Sequence, residues 1–176
     1  TIAADGAKVF NLDAKIIDWE VEPGKIVKGW SYNGQIPGPI MRANVGDKVR
    51  IVLKNDLTES TSMHLHGIRV PNAMDGVDPY TQPAVKPGET FTYEFTLRQH
   101  GTHMYHPHAD EMTQMAMGMM GMWITHPKDQ NPLIDDVNRD FCFLLSSYDI
   151  DPGSYTPKVA TMVDFNIWSW NSRVFP

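Results

Sequence analysis

A single cysteine, Cys142, stands in 176 residues, so no disulfide can form within the chain. Its setting, Phe141-Cys142-Phe143-Leu144-Leu145, is an apolar run in which a thiol is expected to pack as a small buried hydrophobe. No stretch approaches the roughly 18 consecutive apolar residues of a membrane-spanning helix, so no membrane span is expected. Clustered lysine and arginine are missing too. With a net charge of -6 and no basic patch, nucleic acid is excluded as a partner, because phosphate binding needs grouped cations. The opening Thr1-Ile2-Ala3-Ala4 contains neither an initiator methionine nor an apolar signal core, as expected of a processed or trimmed N-terminus. A 41% hydrophobic content is enough to bury a core in one soluble domain.

Long helical periodicity is also absent, and turn residues organise what is there. Ile16 to Val21 alternates loosely and stops at Pro23-Gly24, after which Lys25 to Trp30 resumes, as two hairpin strands would. Further strands are expected over Lys48 to Leu53, Thr90 to Leu97, Met120 to Thr125 and Phe141 to Ser146, the last two apolar enough for sheet-core positions. Asp110 to Met117 is the segment able to form a short helix. Short strands divided by Gly, Pro, Asn and Asp predict an all-β Greek-key sandwich or barrel.

Four histidines stand in two matched pairs, His64-Leu65-His66 and His106-Pro107-His108. Residues two apart on a strand share a face, with attachment points roughly 6.6 Å apart, so each pair presents two imidazoles side by side. Such a pair can serve adjacent metals in a multinuclear site, or lean together onto one zinc; imidazole suits copper, zinc, iron and nickel alike. His100, His103 and His126 are read as ordinary residues. His100 falls in a Gln-His-Gly turn, and His103 differs in parity from His106 and His108.

An internal echo joins the two ends of the chain. Trp30-Ser31-Tyr32-Asn33 returns as Trp168-Ser169-Trp170-Asn171, which predicts a first domain over residues 1–164 and the truncated start of a second copy over 165–176.

Taken in order, Met63-His64-Leu65-His66-Gly67, Met74-Asp75-Gly76, Lys86-Pro87-Gly88-Glu89, Gly101-Thr102-His103-Met104-Tyr105-His106-Pro107-His108 and Gln114 to Gly121 resemble the first cupredoxin domain of multicopper oxidases. Laccases, ascorbate oxidases and bacterial cuprous oxidases belong to that family. The resemblance covers roughly Ile26 to Thr125 and implies a cupredoxin-like fold carrying half of a trinuclear copper cluster. It implies that His64 binds the type 2 copper and that His66, His106 and His108 bind the type 3 pair. The implied reaction is one-electron oxidation of a small reducing substrate, a phenol, an amine or Cu(I), coupled to four-electron reduction of O2 to water. Its implied partners are the remaining cupredoxin domains, of the same protein or a neighbouring subunit, in a periplasmic or secreted location.

The chain also departs from the family's full equipment. A type 1 blue copper needs a Cys thiolate with two His, and no such set exists here, so that site is expected outside this chain. Copper nitrite reductases carry Cys directly after the second-motif His, where Pro107 stands here, which favours the oxidase. A nitrite reductase-like enzyme and a non-catalytic copper-resistance binding protein are the alternatives. Oxygen reduction consumes protons, and the resemblance assigns their relay to Asp75, although Asp-Gly is also a common turn dipeptide. Six of the eleven methionines fall between Met112 and Met122. Thioethers prefer Cu(I), but methionine is equally a core filler.

Overall fold

Strand β1 (Lys8–Glu22) changes partner and face halfway along its length, and the architecture follows from that change. The computed structural model of the chain describes residues 1–160 and 163–174. Over Lys8–Ala14, β1 pairs in parallel with β4 (Lys48–Asn55); over Ala14–Glu22 it pairs antiparallel with β2 (Lys25–Tyr32). With β6 (Thr90–Thr96) these form one sheet in the order β2-β1-β4-β6. The second sheet is β3 (Gly38–Asn44), β8 (Gly121–His126), β7 (Gly101–His106) and β5 (His64–His66), in that order. The expected all-β, cupredoxin-like sandwich is therefore present. The expected short helix is α1 (Glu111–Ala116), joining β7 to β8, and α2 (Pro132–Asp135) is a single turn.

Alternation in β4 shows why the sheets close on each other. Val49, Ile51 and Leu53 are fully buried while Lys48, Arg50 and Lys54 point outward, the period-2 pattern of a half-buried strand. They meet Leu12, Tyr32, Met41, Tyr93, Leu65, Tyr105 and Trp123 in one core drawn from both sheets. Tyr105 fixes the strand that matters most for the site. Its hydroxyl donates to Pro39 O at 2.6 Å, and its ring lies so close over Gly121 that a Cβ there would stand 2.1 Å from Tyr105 Cζ. Burial holds that hydroxyl protonated far above the usual tyrosine range.

A second, smaller core lies on the other face of β1. Trp19, Val21, Val27 and Met120 pack there against Tyr148, Ile150 and Ile167. Tyr148 and Ile167 belong to β9 (Leu145–Tyr148) and β10 (Ile167–Trp170), an antiparallel pair. This pair repeats the bonds at one end of the β1–β2 pair. Asn33 N donates to Asp13 O, Asn33 Oδ1 accepts from Asp13 N, and Asn33 Nδ2 donates to Asn11 O. Asn171 does the same with Leu144 O, Leu144 N and Cys142 O. Ser31 Oγ donates to Lys15 O, as Ser169 Oγ does to Ser146 O. Phe175 and Pro176, the last two residues of the predicted second copy, lie outside the described residues.

Two sequence expectations need correction here. Phe141 to Ser146 does not occupy sheet-core positions: the strand runs Leu145–Tyr148, and Phe141, Phe143 and Leu145 are exposed because no described element covers that face. Cys142 is accordingly only half-buried, with Arg42 Nη2 donating to its Sγ at 3.0 Å, instead of sitting in an apolar core. The methionine cluster is mostly packing: Met117, Met119, Met120 and Met122 are buried, and Met112 is the exposed one.

The Tyr105 wedge predicts that Gly121→Ala, which must displace a fully buried ring, costs about 2 kcal/mol or more. Tyr105→Phe, which removes only the bond to Pro39, should cost about 1 kcal/mol. Urea unfolding of both variants checks the order; a Gly121→Ala as stable as wild type would contradict the packing account.

Candidate metal centre

β5 is three residues long and its partner is the end of β7, with His64 opposite His106, Leu65 opposite Tyr105 and His66 opposite Met104. Residues opposite each other share a face, so Leu65 and Tyr105 enter the core and the flanking histidines are left together on the other side. One ring nitrogen from each of His64, His66 and His106 lies within 4.8 Å of the other two. His108 joins them less directly. It was expected on the same strand as His106, but β7 ends at His106, since Pro107 has no N–H to continue a ladder. His108 lies in the following loop with its ring 5.5 Å from that of His64, which is itself 5.4 Å from His66 and 5.3 Å from His106. His64 is the centre of the group.

Backbone carbonyls determine which nitrogen of each ring is free. His64 Nδ1 is 2.7 Å from Asp75 O and His106 Nδ1 is 2.8 Å from Pro107 O, so both carry their proton on Nδ1 and leave Nε2 as the lone-pair donor. His66 Nδ1 lies 3.1 Å from His106 Nε2, so the third ring meets the lone-pair nitrogen of the second. Neutral imidazoles held by carbonyls at the opposite nitrogen are the donor set that copper takes.

Asp75 is brought to the same place. A 3-10 turn over Asn72–Met74 reverses the chain, and Asp75 Oδ1 comes to 3.5 Å from His64 Nδ1. The reversal requires glycine next. Gly76 has φ +75°, and a Cβ there would lie 1.9 Å from Met63 O. Glu111, in the first turn of α1, was not anticipated: its carboxylate oxygens lie 3.6 Å from His106 Nδ1 and from His108 Nε2. Its sequence signal was an acid three residues after the second pair. Ser62, two residues before the first pair, was also missed; its hydroxyl meets the backbone of His108 and Ala109. His103 stays outside the group, its ring against Gly67 and Gly101, and His100 and His126 border a separate groove.

Burial pushes the His106 pKa below the ordinary imidazole value, reinforced by His64 and His66 and opposed by the Pro107 carbonyl and Glu111. His103 is lowered by burial as well, and by His66. A lowered folded-state pKa favours the neutral ring, so its contribution is present above the unfolded value and is lost as pH falls through the folded one. The metal-free chain should therefore lose thermal stability from about pH 7.5 to about pH 5.5, where unfolded histidines titrate. A melting temperature that rises over that interval would contradict the assignment.

A β-sandwich with histidines clustered at one sheet edge defines a metal-binding cupredoxin-like domain, and comparison with known proteins makes the class specific. The multicopper oxidase family model matches residues 14–130. A copper resistance protein A homolog of Pseudomonas syringae pv. tomato is 33% identical over 163 residues, 92% of this chain and 27% of its own. The L-ascorbate oxidase of Cucumis sativus is 39% identical over 145 residues, 80% of this chain and 24% of its own. Among solved structures, a multi-copper oxidase from Pseudomonas thermotolerans superimposes with a TM-score of 0.86 at 30% identity, over 95% of this chain and 42% of that one. The blue copper oxidase of Nitrosomonas europaea gives 0.85 at 30% identity, over 96% and 54%. The chain belongs to the multicopper oxidase family, whose cofactor is copper. It spans about a quarter of the length of these curated relatives.

Proposed function

We propose that this chain supplies half the ligands of a trinuclear copper cluster at which O2 is reduced to water. The convergence of His64, His66 and His106 within 4.8 Å, with His108 beside them, carries the reading. Four imidazoles are too few for three metals, so the remaining ligands come from further cupredoxin domains. Following the family resemblance, His64 holds the type 2 copper and His66, His106 and His108 the type 3 pair. Bound copper supplies the one-electron redox chemistry; the donor, a phenol, an amine or Cu(I), reacts at a type 1 site outside this chain. The protein's own part is to aim the imidazoles of His64 and His106, through Asp75 O and Pro107 O, and to hold the carboxyl of Asp75 beside them. Asp75 is the proton donor in this reading, its Oδ1 against the ring of His64. The location that goes with the reading is periplasmic or secreted; among the described residues no helix is long and apolar enough to cross a membrane.

In the full-length protein, His106→Ala or His108→Ala should abolish oxygen consumption and leave the blue type 1 absorption intact. Loss of the blue band with retained oxygen uptake would reverse the assignment. Asp75→Asn should keep its copper and slow turnover by roughly 10²-fold or more, the scale of a positioned proton donor. Unchanged rates at matched copper loading would return Asp75 to a turn role. Nitrite consumption with one cluster copper would support the reductase, and copper uptake without oxygen consumption the binding protein.

We also propose that the chain contains one complete cupredoxin-like unit and the beginning of a second. The sequence echo drew the boundary at Phe165; the repeated hydrogen bonds reach back to Cys142, and we place the opening of the second unit at its neighbour Phe141. By that register Phe141, Phe143, Leu145, Trp168 and Trp170 correspond to Phe10, Leu12, Ala14, Trp30 and Tyr32. The latter five face the main core, whereas the former five are exposed. They form the unfilled core face of the second unit. Phe143→Asp should cost about 2 kcal/mol or more in the full-length protein and under about 0.5 kcal/mol in residues 1–176 alone. Equal small costs in both would contradict the second unit.

A further inference from the structure

Just ahead of β5, Ser60-Thr61-Ser62 is held by several distant segments. Thr61 exchanges backbone hydrogen bonds with Val85, its hydroxyl donates to Gln114 Oε1 at 2.7 Å, and Gln114 Nε2 donates to Ser60 O at 2.8 Å. These bonds fix the segment against α1. The hydroxyl of Ser62, fully buried, makes a different set. It donates to Gly76 O at 2.7 Å and accepts from His108 N at 3.2 Å and Ala109 N at 3.1 Å. One donor and two acceptor sites are all that a serine hydroxyl has, and each is used.

The partners on this one oxygen belong to three pieces of the proposed site. Met63 and His64 follow Ser62 directly; Gly76 follows Asp75, whose carbonyl orients His64; and His108 is the fourth histidine. His64, His66 and His106 have a strand ladder to hold them. His108, beyond Pro107, has none, and its described backbone N–H bond is the one to Ser62. The Asp75 segment is likewise a loop, tied at Gly76 to the same oxygen.

We infer that Ser62 is the positioning residue that sets His108 and the Asp75 carbonyl relative to the three ladder-held histidines. The inference rests on the copper-cluster reading above. Ser62 touches no metal in this scheme. Removing its hydroxyl leaves Gly76 O, His108 N and Ala109 N without their buried partner and uncouples both loops, while the β5–β7 register remains. Losing groups that orient metal ligands weakens metal affinity by about 10- to 100-fold.

The test uses the full-length, copper-loaded protein and compares Ser62→Ala with Thr61→Val. The latter removes a neighbouring buried hydroxyl bond at nearly constant shape, one that reaches no histidine-bearing segment. Both variants should melt lower than wild type. Challenged with EDTA, Ser62→Ala should retain cluster copper at least about tenfold less well than wild type, with the blue absorption unchanged, and Thr61→Val should stay within about threefold. Equal retention in Ser62→Ala and wild type, or equal loss in both variants, would overturn the inference. Elemental analysis of wild type comes first: absence of cluster copper there would defeat the copper reading itself. A measurement on metal-free wild type stands whether or not Ser62→Ala folds. The amides of His108 and Ala109 should exchange hydrogen at least about tenfold more slowly than that of Asp110. Exchange as fast as Asp110 would show that Ser62 does not hold this loop.

Discussion

The pairing of His64 with His106 across β5 and β7 is the constraint on which the site depends. In a β-ladder the register decides the face, and a slip of one residue would send the histidines into the core and Leu65 out of it. A three-residue strand cannot secure a register by itself. Leu65 and Tyr105, buried opposite each other, tie the pairing to the main core, and the Tyr105 ring over Gly38 and Gly121 ties it to β3 and β8. The hydrophobic core thus determines where the imidazoles stand.

Upon that rigid pair the structure adds two loops. One carries Asp75 and reverses at a glycine that no other residue could replace without striking Met63 O; the other begins at Pro107, where the ladder must stop, and carries His108. Loops of this kind have no sheet to hold them, so side chains do it: Ser62 from within, Glu111 from the rim. Strand histidines fix the distances within the group, and Asp75, the proposed proton donor, stands beside them on one of the loops.

Much of this was legible in the residues, for identifiable reasons. The two His-x-His pairs, the alternation of β4 and β6 and the turn at Pro23-Gly24 are local patterns, and local patterns survive in a linear reading. The position of His108 was misjudged because the period of two was carried through a proline. Cys142 and Phe141 were placed in a core on apolarity alone; that argument cannot say whether a covering sheet lies within the same described residues. Ser62 left no signal because its role consists of meeting Gly76 and His108, which are remote in sequence. The Trp-Ser-aromatic-Asn echo was visible, whereas the matching bonds that Asn33 makes to Asn11 O and Asn171 makes to Cys142 O are contacts between strands and leave no linear pattern.

The central claim is that this chain holds one half of a shared metal cluster, and copper stoichiometry tests it most directly. Elemental analysis would be run on residues 1–176 and on the full-length protein after identical loading and desalting. The account predicts about three coppers beyond the type 1 site in the full-length protein, and weak, partial occupancy in residues 1–176, since open sites hold metal less firmly than closed ones. Full, tightly held trinuclear occupancy in residues 1–176, or no cluster copper in the full-length protein, would contradict it.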